Sequence, residues 1–265
     1  MYKLIIHIGM PKTASTSMQK LLRDNENVIS DLFYIPKSCQ ISKEIVNHAN
    51  LFFELVNDTR FNSKLGTFSD LINEIRNKKK NIILSSEDFS FLLLDKNLKT
   101  LFENSLSNLN FQVTYICFFR NETSYFFSTL KELKRHRLNQ QIPNNKFSYL
   151  HDLIHFKNAL LHGYVFNNLN NEKNNYKIFF NIKKFSKLIE KDSIFKFKYF
   201  KHDKNSLMKF GKIFNIQNFN LRNYQLNVVH KRNLKNYLYS IPGFIIYLLY
   251  KRKIKEDNIK YILSD

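Results

Sequence analysis

The chain has 265 residues, 43% of them hydrophobic and 15% aromatic, enough apolar mass to bury the core of one large α/β domain. Its formal charge of +20 favours a polyanionic partner such as nucleic acid, an anionic membrane, an acidic polysaccharide or a multiply charged nucleotide. Lysine is spread along the whole chain, so charge alone names none of these, and the two distant cysteines, Cys39 and Cys117, exclude a disulfide framework and zinc-ligand spacing.

From the N-terminus, Met1-Tyr2-Lys3 runs straight into an apolar segment without the small-residue cleavage region of a secretory signal, an N-terminus expected of a cytoplasmic protein with buried, reduced thiols. Leu4 to Ile8 is a short apolar run ending at Gly9. Met18, Leu21 and Leu22 follow at helical spacing, which predicts a strand–loop–helix unit. Further strands are expected at 33–35, 81–85, 113–119, 177–180 and 195–199, with helices at 41–56, 68–77, 123–138 and 147–166. Short continuous apolar strands alternating with helices indicate a parallel sheet covered on both faces, an α/β three-layer fold. Residues 1–226 are expected to form that domain. Residues 227–265 turn helical and basic, ending in Lys251-Arg252-Lys253, and read as an extension packed on the same domain or as a peripheral contact with a membrane or acceptor. The longest apolar run, Ile241 to Tyr250, contains Pro242 and Gly243 and reaches only half of the ~20 residues of a membrane-spanning helix.

Three segments carry chemistry. The first is Gly9-Met10-Pro11-Lys12-Thr13-Ala14-Ser15-Thr16-Ser17. A strand that passes through Gly, Pro and Lys into hydroxyl residues at a helix start combines backbone N–H donors, the positive end of a helix dipole and a cation, the parts of a phosphate cradle. Lys12 follows Gly9 by only three residues, so the usual nucleotide P-loop with its Gly-Lys-Ser/Thr is absent and an ordinary ATP or GTP site is disfavoured. In the second segment Arg120 ends a strand, and Ser128 follows eight residues later on an expected helix; together they can present a guanidinium fork and a hydroxyl to one phosphate. The third is the strand 81–85 running into Ser85-Ser86-Glu87-Asp88. Ligands of open parallel sheets bind beyond the carboxyl ends of the strands, so these acids should face the same crevice. Either can serve as a base, and either can instead cap the next helix.

The first segment resembles the 5′-phosphosulfate loop of the sulfotransferase family, read as Gly-x-Pro-Lys-Thr-Gly-Thr-Thr, with Ala14 standing where the family commonly has glycine. A methyl there would restrict the loop if φ were positive. The second segment is similar to the family's 3′-phosphate motif, an Arg-Asn pair after a strand with a serine eight residues past the arginine, although Glu122 and Thr123 replace its proline and aspartate. The resemblance covers about 35 residues in the first half of the chain. It implies 3′-phosphoadenosine 5′-phosphosulfate as co-substrate, adenosine 3′,5′-bisphosphate as product, and no metal. Lys12, Thr13, Ala14, Ser15, Thr16 and Ser17 would hold the 5′-phosphosulfate in a P-loop-like loop, Arg120 and Ser128 the 3′-phosphate. Lys12 and Glu87 would be catalytic, with Asp88 the competitor for the base. The resemblance also suggests a carbohydrate or glycolipid hydroxyl as acceptor and no specific nucleic acid. The family's adenosine-binding loop, often with Arg-Lys-Gly, has no clear counterpart, His230-Lys231-Arg232 being the nearest. The rival readings are a P-loop kinase or nucleotide hydrolase, and a non-enzymatic binder of polyanions or membrane. His7 reads as a packed strand residue, and His136, His151, His155 and His230 fit no metal spacing.

Overall fold

Strand β1 (Tyr2–Gly9) presents buried residues from Leu4 onward on both of its sides, the pattern of a central strand covered above and below. The computed structural model describes residues 1–9, 13–93, 95–120, 190, 193–217 and 219–224. Around β1 stand β2 (Phe33–Tyr34), β3 (Asn81–Ser86), β4 (Phe111–Phe119) and β5 (Lys196–Lys201). Among the described residues they form one five-stranded sheet in the order β2-β3-β1-β4-β5, with every pairing parallel. The fold is therefore α/β. Register brings the carboxyl ends to one edge: Ile8 lies opposite Ser86 and Cys117, and Phe119 lies opposite Lys201.

Alternation along the strands splits the core in two. Leu4, Ile6 and Ile8 join Leu84, Tyr115 and Cys117 beneath α3 (Ala49–Leu55), α4 (Phe68–Arg76), α5 (Phe89–Leu92) and α6 (Lys96–Ser107). Ile5, Ile83, Ile116 and Phe118 join Met18, Leu21 and Leu22 of α1 (Ser15–Asp24), Ile29 of α2 (Glu26–Ile29) and Phe210 of α7 (Ser206–Ile213). Both faces of the sheet are thus covered, compatible with the three-layer expectation. Short 3₁₀ turns occur at Ser63–Leu65 and Leu221–Tyr224. Both Cys39 and Cys117 are buried free thiols, and burial pushes Cys39 up to about 12.

Several elements differ from expectation: α2, α5, α6 and α7 were not among those expected, and one expected helix is shorter. The helix expected over 41–56 is confined to Ala49–Leu55. Ahead of it the Ser42 hydroxyl accepts from the N–H groups of Glu44 and Ile45, and Val46 and His48 donate to the carbonyls of Gln19 and Ser85. Those bonds compete successfully with the helical ladder. Helix α6 was not legible as a helix, and its start is set by Asp95, whose carboxylate accepts from the N–H groups of Asn97 and Leu98. The elements expected at 123–138, 147–166 and 177–180, and the basic extension 227–265, lie outside the described residues. Among the described residues no helix is long and apolar enough to cross a membrane.

This topology positions the site. The chain leaves β1 towards β3 and β2 but leaves β4 towards β5 at the opposite edge. Adjacent strands whose connections depart in opposite directions open a crevice between their carboxyl ends.

Candidate functional site

Gly9 ends β1 at the floor of that crevice. A Cβ placed on it would lie 2.1 Å from Ser15 Oγ and 3.2 Å from Glu87 Cγ, so the first residue of α1 and the acid following β3 both crowd the point where β1 stops. Only glycine permits that approach. Beyond it Thr13, Ser15 and Ser17 are buried, and the Thr13 and Ser15 hydroxyl oxygens are 3.4 Å apart. Ala14 is the N-cap of α1 with φ 67° and ψ 24°, and its carbonyl accepts the first helical bond from Met18 N–H at 2.9 Å. The position where the sulfotransferase motif has glycine is thus left-handed, a conformation that disfavours an L-residue by roughly 1–2 kcal/mol. Ala14 itself supplies no side-chain cap to α1, and no acid stands in the first turn. That end of the helix suits an anion.

On the β3 side the chain turns through Ser86, Glu87 and Asp88 into the short α5. Asp88 occupies the N-cap position without a side-chain capping bond, so the capping alternative does not describe it. Its carboxylate instead accepts from the Ser86 hydroxyl at 3.2 Å, while Asp88 N–H donates to the same hydroxyl at 3.1 Å. Burial, opposed by the Ser86 bond and the charge of Arg60, holds the Asp88 carboxyl above the usual carboxylate range. Glu87 engages the helix through its backbone: its carbonyl accepts from Ser90 N–H at 3.1 Å and from Ser90 Oγ at 2.7 Å. The two acids therefore differ in place. Asp88 is tied to the strand end, whereas the Glu87 side chain lies beside Gly9.

Arg120 is half-buried at the carboxyl end of β4. Its Nη2 donates to Nε2 of His202 at 3.2 Å, and burial draws the guanidinium below its ordinary value. His202 follows β5 directly, with its N–H bonded to Phe119 O at 2.6 Å. Burial first and the charge of Arg120 second hold this imidazole down to about 4, against an opposing contribution from Asp203 and from the backbone of Thr13. His202 thus touches Arg120 directly. Nothing in the sequence singled it out, because a histidine after a lysine-rich strand has no characteristic spacing.

A second histidine cluster lies below the crevice. Nδ1 of His7 and Ser85 Oγ are 2.8 Å apart, and Ser85 N–H donates to Nδ1 of His48 at 3.2 Å. The remaining His48 nitrogen, Nε2, therefore carries the proton and donates to Pro36 O at 3.2 Å. His7, Ser85 and His48 are each 0% exposed. Burial holds His7 down to about 3 and His48 to about 4. A serine and histidine sealed from solvent are packing partners, as the strand reading of His7 anticipates.

Of the residues singled out in the sequence, Thr13, Ala14, Ser15, Thr16, Ser17, Glu87 and Arg120 gather at one end of the sheet. Lys12 and Ser128 lie outside the described residues. Compared with protein-family models and with curated protein sequences, the chain matches none.

Proposed function

We propose that this protein is a sulfotransferase, moving the sulfuryl group of 3′-phosphoadenosine 5′-phosphosulfate to a hydroxyl of a carbohydrate or glycolipid. What supports the reading is one convergence: the uncapped start of α1, Glu87 against Gly9, and Arg120 at the adjoining strand end. The motif resemblance assigns the 5′-phosphosulfate to the first, the base to the second and the 3′-phosphate to the third.

In this reading the acceptor oxygen attacks sulfur in line with the bond to the 5′-phosphate. Glu87 takes the hydroxyl proton as the new S–O bond forms. The old S–O bond breaks towards the phosphate, and the charge developing on that oxygen is met by the N–H groups at the start of α1 and by Lys12, which enters on the strength of the motif. Arg120, with Ser128 from the motif, holds the 3′-phosphate and so orients the sulfate. ATP lacks a phosphate at that position and gains nothing from the contact.

Calorimetry with adenosine 3′,5′-bisphosphate beside ATP–Mg²⁺ tests the donor, and preference for ATP–Mg²⁺ would favour a kinase or nucleotide hydrolase instead. Transfer of radiolabelled sulfate to carbohydrate, lipid and phenol acceptors tests the activity. Glu87→Gln should lower turnover by ~10²–10⁴-fold with donor affinity nearly unchanged. Full activity of this variant would move the base to Asp88. Arg120→Ala should weaken adenosine 3′,5′-bisphosphate by at least ~10-fold and leave adenosine 5′-phosphosulfate unaffected, whereas equal losses would refute the 3′-phosphate assignment.

A further inference from the structure

His202 has no part in the donor site as read above, yet it touches one of its components. Its backbone N–H bond to Phe119 O carries the β4–β5 ladder one residue beyond β5, so the start of the side chain is fixed by the sheet. From there the imidazole meets Arg120. A guanidinium only donates, so the Arg120 contact at 3.2 Å requires Nε2 to be the unprotonated nitrogen and leaves the ring proton on Nδ1. Arg120 is thereby held by a neutral acceptor.

The chemical identity of that acceptor matters. A carboxylate in the same place would form an ion pair and cancel the charge that an anionic ligand needs. A neutral ring fixes the plane and angle of the guanidinium while leaving its charge intact, and the fork geometry of arginine makes angle decisive for a bidentate partner. We propose that His202 is a positioning residue for the donor nucleotide, aiming Arg120 at the 3′-phosphate. This rests on the sulfotransferase reading.

Two nucleotides that differ only in the 3′-phosphate, adenosine 3′,5′-bisphosphate and adenosine 5′-monophosphate, provide the probe. Each is titrated into wild type, His202→Leu, His202→Gln, His202→Glu and Arg120→Ala, and into the Arg120→Ala/His202→Leu double variant. His202→Leu should bind the bisphosphate about 10-fold more weakly and the monophosphate within about twofold of wild type. His202→Gln, whose side-chain carbonyl can accept from Arg120, should recover most of the loss. His202→Glu should lose more than His202→Leu, because its carboxylate competes with the phosphate for the guanidinium, and it serves as the test should the leucine variant not fold. On the Arg120→Ala background His202→Leu should add nothing, since His202 acts through Arg120. Equal losses for both nucleotides, additive losses in the double variant, or wild-type behaviour of both His202→Leu and His202→Glu would overturn the assignment while leaving the donor reading intact. A wild-type protein that does not distinguish the bisphosphate from the monophosphate would overturn the donor reading, and this inference with it.

Discussion

At Ala14 a single methyl group stands in a left-handed backbone conformation at the N-cap of α1, φ 67°. Glycine would remove the steric penalty but add unfolded-chain entropy, and the two effects partly cancel. Ala14→Gly is expected to stabilise by up to about 1 kcal/mol, raising Tm by roughly 2–4 °C at most. Ala14→Val should clearly lower Tm, because β-branched residues are genuine outliers at positive φ. Thermal unfolding of the pair tests this; a valine variant as stable as the glycine variant would contradict the loop geometry. Gly9 makes the opposite demand. Gly9→Ala would drive a Cβ to 2.1 Å from Ser15 Oγ and 2.8 Å from Ser15 Cβ, and Ser15 is itself only 1% exposed. Overpacking of this kind costs about 1–3 kcal/mol. Urea unfolding should show that loss in Gly9→Ala and a partial recovery in Gly9→Ala/Ser15→Gly. The need for glycine at position 9 was readable from the motif. The sign of φ at residue 14 was not, since it depends on how α1 docks against the strand end.

Helix α4 shows how completely a local pattern can specify an element. Thr67 Oγ1 accepts from Asp70 N–H, the Asp70 carboxylate accepts from Thr67 N–H, and Leu71 and Ile75 turn inward one helical turn apart. All the information lies within ten residues, and the expected span 68–77 matches Phe68–Arg76 closely. Thr67→Ala should lower stability by about 1 kcal/mol and leave nucleotide affinity unchanged. An altered affinity would mean that α4 is coupled to the crevice. Helix α6 is the contrary case. Lys99 and Glu103 sit on its buried face and break the apolar periodicity that would have announced it. Glu103 is tolerated there because it accepts from Ser193 Oγ at 2.8 Å, Ile194 N–H at 3.2 Å and Tyr115 OH at 3.4 Å. Its partners lie up to 91 residues away in the chain, beyond the reach of any local pattern.

At the scale of the described residues taken together, buried histidines make stability fall with acid. His7 and His48 are held down to about 3 and about 4, from an ordinary value of 6.5, by loss of hydration. Between those values and 6.5 the folded chain binds fewer protons than the unfolded chain, so stability is complete above about pH 6.5 and falls as pH drops through 6 and 5. Each can contribute up to about 1.4 kcal/mol per pH unit in that window. His202 acts in the same direction, while Asp88, whose carboxyl is raised, opposes it at lower pH. Urea unfolding at pH 7.5, 6.0 and 5.0 should show a steady loss with an unchanged slope. Constant stability across that range would mean that these rings are hydrated in solution.

What the sequence determined alone is whatever a few neighbouring residues decide. The apolar runs of β1, β3 and β4 announced a parallel sheet, since strands buried on both faces have no polar side to show. The glycine, hydroxyl and arginine positions marked strand ends that the sheet brings to one edge. Tertiary structure decided the relations between distant segments. It set the strand order, which opens the crevice beside β1 and β4. It separated Glu87 from Asp88, two adjacent acids that differ only in which neighbour each reaches: Gly9 for one and Ser86 for the other. It also brought His202 to Arg120 across 82 residues. Parallel strands are joined by long crossovers, so the residues that meet at their carboxyl ends are necessarily remote in the chain. Their meeting is decided by register and packing rather than by any local pattern.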